Sequence, residues 1–222
     1  MSTSNISTPR IRQVSRLASL AMAAVLLGGC ALGGEKTTPT VFAPELRLQA
    51  DPAWPSVSWQ LSTSRPTAAR MIDSVRMAVS PVPGELQVYK GALWARTPPE
   101  MLEDAVLRTL EDSGKLPAAA RQGSGIRADY RLVMEIRHFE ASYNEPTSLA
   151  APAAVVEVNA KLLHAQDQVV VGNRTFRHVR PAAGTAVPLV AQAFGEALGA
   201  TSRDIAGWLL QSGHAHQRSH PD

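Results

Sequence analysis

Cysteine is nearly absent: Cys30 is the only one in 222 residues. That excludes an intrachain disulfide and any zinc site built on cysteines. Aromatic residues make up 5% of the chain, which argues against a surface that stacks successive bases. The body also lacks a net charge of one sign. The whole chain carries +3, but Arg10, Arg12 and Arg16 lie in a first segment, residues 1–29, that has no acidic residue. Beyond it, basic and acidic residues balance, so net charge supports no nucleic-acid partner. No apolar run reaches the roughly 20 residues that a membrane-spanning helix needs. Catalytic signatures are missing as well. There is no Gly-x-Ser-x-Gly elbow, no His-Glu-x-x-His and no Walker loop. Gly123-Ser124-Gly125 and Ala128 have the outline of a dinucleotide loop, but they precede a predicted strand instead of following one. These absences predict a protein that is not an enzyme and has no metal or organic cofactor.

Hydrophobic residues are 45% and charged ones 18%, so the chain can bury a core. Its length suits one domain with tails.

The N-terminus has three parts in order. Residues 2–16 are polar and carry the three arginines; residues 17–27 are apolar apart from Ser19; Gly28, Gly29 and Cys30 follow. A charged region, a short apolar region and small residues at a cut site make a secretory signal peptide. Leu27-Gly28-Gly29-Cys30 resembles the bacterial lipobox, and the sole cysteine stands at its end. The resemblance implies cleavage between Gly29 and Cys30, with diacylglycerol on the thiol and an acyl chain on the new amino group. Each buried methylene adds about 0.8 kcal/mol, so three chains anchor the protein in effect permanently. Ala31, not Asp, follows the cysteine; by analogy with lipoprotein sorting this favours the outer membrane.

Residues 30–56 hold two glycines and four prolines without sustained periodicity, and read as a lipidated anchor with an extended tether. Residues 57–211 read as one domain, and residues 212–222 as a polar, frayed tail. Strands are predicted at 57–61, 74–80 and 85–90, and at 130–139, 154–164 and 169–179, where apolar and polar residues alternate most clearly. The last two are expected to form a hairpin. Thr97-Pro98-Pro99-Glu100 opens a helix that Gly114 stops. A longer helix is predicted over 187–211 from the spacing of Val190, Phe194, Leu198, Ile205 and Leu209. The class is α/β (α+β): a mixed sheet of five to six strands with one short and one long C-terminal helix.

The remaining polar clusters have plain readings. His214, His216 and His220 fall in the tail and read as solvated. His138 reads as a partly buried sheet residue. Arg174, Arg177, His178 and Arg180 read as the solvent face of a hairpin, with anionic headgroups or peptidoglycan as the alternative ligand. Glu103-Asp104 and Glu111-Asp112 splay apart on a helix and form no acid/base dyad. Trp94 either caps the core, which periodicity favours, or lines a contact surface.

The order of the pieces carries a resemblance. Ser74–Val79, a Pro/Gly turn, then Gln87-Val88-Tyr89-Lys90-Gly91-Ala92-Leu93-Trp94-Ala95 precede the first helix. Ala128-Asp129-Tyr130-Arg131-Leu132 and Arg137-His138-Phe139-Glu140 follow, then Arg174-Thr175-Phe176 and a helix closing on Trp208-Leu209. This set, over residues 56–211, resembles the ABC-type transport auxiliary lipoproteins. The resemblance implies a small α/β domain similar to the amino-terminal domain of TolB. It implies a role in lipid movement across the envelope, beside a mammalian-cell-entry (MCE) domain protein with its permease and ATPase. The place implied is the periplasmic face of the outer membrane, with a homo-oligomeric ring among the arrangements allowed. No catalytic residue is carried over. Tyr89 and Trp94 are the candidates for docking. The competing expectation is an envelope structural lipoprotein that binds peptidoglycan or secretion machinery.

Overall fold

The computed structural model describes residues 38–220, apart from 47, 49 and 147–149. The chain divides between Thr38 and Pro39, and the fold is that of the unit beginning at Pro39. Among the described residues, nine strands join in one mixed sheet. They are β1 (Thr40–Phe42), β2 (Leu61–Thr63), β3 (Thr67–Ala68), β4 (Arg76–Ser80) and β5 (Gln87–Trp94), then β6 (Ala119–Arg121), β7 (Tyr130–Ser142), β8 (Ala153–His164) and β9 (Val170–Pro181). Helix α1 (Pro98–Ser113) follows β5, and α2 (Val187–Ser219) follows β9.

Strand β7 organises the sheet. Along one edge it pairs antiparallel with β8, which pairs in turn with β9. Its other edge is shared in succession by β2, β3 and β4, all parallel to it. Strand β5 pairs with β4, and β1 closes that side by running parallel to residues 92–94 of β5. The α+β class stands, but nine strands replace the expected five or six. The extra ones, β1, β3 and β6, are two or three residues long, too short to display a period of two.

Alternation on β7 explains the core. Tyr130, Leu132, Met134 and Ile136 are buried, while Glu135 and Arg137 are exposed. The pairing with β8 then slips between Ile136 and His138, so Arg137 is an extra residue and the inward parity changes. Phe139 takes the next inward place and its N–H donates to Oε2 of Glu140 (2.8 Å). Phe139 stacks on Phe194 of α2 at 4.9 Å, and both meet Trp94 edge-on at 6.0 and 5.1 Å.

Both helices have local causes. In α1 the Thr97 N–H donates to Glu100 (2.9 Å), the two prolines occupy the first turn, and Gly114 ends the helix at φ 61°. In α2 the buried Thr201 and Ser202 hydroxyls donate to the carbonyls of Ala197 and Leu198, both at 2.8 Å. That lets polar residues lie on the core face.

Two boundaries differ from the sequence reading. Residues 39–56 are part of the domain, not of a tether. Beyond β1 the chain runs along α2 as a strap, filling places where the helix has no side chain. A β-carbon at Gly195 would stand 2.8 Å from the Glu45 carbonyl oxygen, one at Gly207 2.7 Å from Trp54 Nε1, and one at Gly213 2.5 Å from Trp59 Cζ2. Asp51 also pairs with Arg203 (3.1 Å), and Gln217 donates to Ser58 (3.0 Å). Nor do residues 212–219 form a frayed tail. They continue α2, with Gly213 buried against Trp59. The signal-peptide reading, Gly29 and Cys30 included, lies outside the described residues, as does any tether over 31–37.

Candidate functional site

The two docking candidates part company. Trp94 closes β5 at 2% exposure, wedged between Phe139 and Phe194. It is a core residue and cannot serve as a docking surface, because burial of its ring is what joins β5 to α2. Its position four residues beyond the strand predicted at 85–90 hides this, although periodicity favours the core.

Tyr89 lies five residues earlier on β5, half-buried against the same core. Its phenol is pushed above the ordinary tyrosine value, first by burial and then by the neighbouring Tyr143. Tyr143 follows β7 and is held there by its N–H donating to Ser80 O (3.0 Å). Asn144 braces the same spot by donating to Ser80 Oγ (2.9 Å). Tyr143 is exposed, and Val82 and Leu86 are exposed on the turn between β4 and β5. Tyr89 therefore lies beside Tyr143, at the end of the sheet where these apolar groups are exposed. Nothing in the local pattern marks Tyr143, Val82 or Leu86, since exposure is not a property of that pattern.

Two clefts flank the start of the strap. The larger, about 530 Å³, lies between Pro44, Glu45 and α2 residues Ala191, Gln192, Gly195 and Glu196. The smaller, about 200 Å³, lies on the other side of Pro44 and includes Leu46, Met101 and Leu198. A third, polar cavity of about 680 Å³ opens between Trp59, Asp129, Tyr130, His164 and the end of α2.

The charged clusters are matched in part. Arg177 bonds Glu145 (2.6 Å) and pairs with Glu157 (3.3 Å), His178 bonds Asp204 (3.0 Å), and Arg174 lies over the Phe176 ring (5.2 Å). Of the hairpin arginines, Arg177 is committed to carboxylates of the domain, while Arg174 is exposed and Arg180 donates to the Val179 carbonyl (3.1 Å). The carboxylate of Glu103 is buried and takes hydrogen bonds from Thr63 Oγ1 (2.8 Å) and Arg121 (3.2 Å). Asp104 turns outward to Arg96 and Arg121. With one donor on each oxygen, Glu103 fastens α1 to β2 and β6. Among the described residues no three His, Cys, Asp or Glu side chains converge as metal ligands, and no helix is long and apolar enough to cross a membrane.

The family model of the ABC-type transport auxiliary lipoprotein component matches residues 41–206. A crystal structure of protein XCC0632 from Xanthomonas campestris is 49% identical, with a TM-score of 0.77, covering 81% of this chain and 99% of that one. A second, uncharacterised protein shares the fold at a TM-score of 0.58 and 13% identity, covering 76% of this chain and 97% of that one. The uncharacterised protein bll6063 of Bradyrhizobium diazoefficiens is 27% identical over 161 residues, 72% of this chain and 41% of the relative. The chain thus spans about two fifths of that relative's length. The matched region starts inside β1 and ends in α2, so it includes the strap. The chain belongs to the ABC-type transport auxiliary lipoprotein family.

Proposed function

We propose that the protein is a lipid-anchored, non-enzymatic auxiliary component of an MCE-type ABC lipid transport system. Cys30 carries the diacylglycerol and N-acyl chains, and the domain docks the transport conduit at the periplasmic face of the outer membrane. The observation that carries this reading is the family match over the folded domain, joined to a lipobox whose cysteine is the only one in the chain. Energy comes from the partner ATPase and passage from its permease. This chain contributes a fixed point at the membrane.

The strap sharpens that role. Had residues 30–56 been a free tether, it could have stretched to about 90 Å at roughly 3.5 Å per residue. Since β1 begins at Thr40, only ten steps separate the anchor from the sheet, a reach of at most about 35 Å. The domain stays close to the membrane that holds it, and the conduit must come to it. The exposed margin of Val82, Leu86 and Tyr143 is the surface we assign to that contact. Non-obligate protein contacts commonly centre on such apolar and aromatic groups.

Labelled palmitate tests the anchor. Cells expressing the full chain should incorporate label and place the protein in the outer-membrane fraction; Cys30→Ala should do neither. Label retained by Cys30→Ala, or a wild-type chain released from membranes by salt alone, contradicts the reading.

A further inference from the structure

The end of α2 brings three imidazoles together over the polar cavity. His216 stacks on His220, one turn on, at 4.6 Å between ring centroids, and meets His164 at the end of β8 at 5.1 Å. The direct partner of His216 is neutral: its Nδ1 lies 2.9 Å from the Tyr130 hydroxyl on β7. Tyr130 in turn packs on Trp59 at 4.8 Å, and Trp59 holds Gly213. The last turns of α2 are thus secured to the sheet through Trp59, Tyr130 and the histidines.

We propose that this end of α2 is a proton-operated latch, closed while the histidines are neutral and released when the cluster charges. A proton on His216 places positive charge in a half-buried site against the rings of His220 and His164. Burial, His220 and His164, in that order, lower its affinity for the proton, and Asp167 opposes them. Asp167 itself is held by the Val169 N–H (3.1 Å) and bonded to His164 (2.9 Å), so its charge serves His164 first. The other charged groups of the cavity are Asp129, whose carboxylate accepts from the Gln60 N–H (2.8 Å), and Arg127, which adds to the positive side. Arg218 does so on the helix itself. Among the described residues no carboxylate bonds His216 or His220, so further protons on this cluster meet like charge.

The sign follows from linkage. A histidine whose folded-state affinity is lowered leaves stability intact above its ordinary value. Stability is lost as the pH falls below about 6.5, and the loss is complete once the folded-state value is passed. Release would expose Trp59 and Tyr130 and widen the cavity without unfolding the front of α2, where Val190, Phe194 and Leu198 are core residues.

Hydrogen exchange on the full chain in detergent, corrected for intrinsic pH dependence, tests the latch. Between about pH 7.5 and 5, residues 213–219 should lose protection relative to 190–206. His216→Gln, which cannot charge, should abolish the pH dependence. Equal protection at both pH values in the wild type, or the same loss in His216→Gln, overturns the proposal. Should His216→Gln open the helix end at every pH, His220→Gln decides. It removes a like charge, so the His216 titration followed by NMR should move to higher pH, and an unmoved midpoint overturns the proposal.

Discussion

The indole of Trp54 lies on the backbone of α2 at Gly207, where a β-carbon would stand 2.7 Å from Nε1 and 3.0 Å from Cε2. The strap and the helix therefore approach more closely than any side chain would permit. In an open helix site, Gly→Ala stabilises by about 1 kcal/mol through chain entropy and propensity. Here the added methyl meets a rigid ring that is itself 7% exposed. Gly207→Ala should destabilise by about 1–3 kcal/mol, the range of core overpacking. Urea unfolding measures it, and a rise in midpoint would show that the strap is loosely held.

The Thr63–Glu103 contact gives a second prediction. Thr63 is fully buried and its hydroxyl donates to a carboxylate that is 5% exposed. Thr63→Val keeps the shape but leaves a charged acceptor short of one donor. A loss of about 1–3 kcal/mol is expected, the desolvation cost of an unmet buried group. No change in the unfolding midpoint would mean that Arg121 alone satisfies Glu103.

How much of this was legible beforehand follows from length and period. Strands β7, β8 and β9 and helix α1 show their alternation, caps and turns in the sequence, and those elements stand within a few residues of where they were expected. Phe42, Trp54 and Trp59 show nothing of the kind. A three-residue strand has no period, and a strap is defined by the glycines it faces some 150 residues later. The end of α2 was missed for a related reason. Its inward positions after Gln211 are Gly213 and His216, which a hydrophobic pattern counts as polar, yet their partners are the rings of Trp59 and Tyr130. The Tyr143 margin depends on which side of the sheet end is open, and that is set by β4 pairing with β7 at Ser80–Ser142.

Trp94 separates stability from docking. Trp94→Ala should cost about 3–5 kcal/mol, as for large aromatic truncations. Trp94→Phe should cost less, because it keeps ring contacts with Phe139 and Phe194 and discards an indole N–H that has no hydrogen-bond partner among the described residues. If Trp94→Ala left the unfolding midpoint unchanged while abolishing partner recovery, the assignment of Trp94 to the core would be wrong.

Tyr89 sets the alkaline limb. Its raised phenol value, caused first by burial, means that the unfolded chain releases the tyrosine proton before the folded one does. The contribution is intact below the ordinary value of about 10 and is lost as the pH rises above it. Urea midpoints between about pH 8 and 11 should fall in the wild type, and Tyr89→Phe should flatten that part of the curve. An identical slope in both proteins contradicts the burial assigned to this hydroxyl.

The apolar margin is tested by charge. Val82→Asp and Leu86→Asp together change side chains that are exposed, 50% and 36%, so the unfolding midpoint should move by less than about 1 kcal/mol. Recovery of the transport partner should drop about tenfold or more, as for loss of an interface hot spot. Undiminished recovery would move the contact to another face.

The most direct test of the account is cross-linking in intact cells. The membrane-anchored chain is pulled down, its partners are identified by mass spectrometry, and Cys30→Ala is run in parallel. An MCE-domain protein should be recovered with the wild type and lost with Cys30→Ala. Recovery of cell-wall or secretion components alone would contradict the transport role and favour a structural role in the envelope.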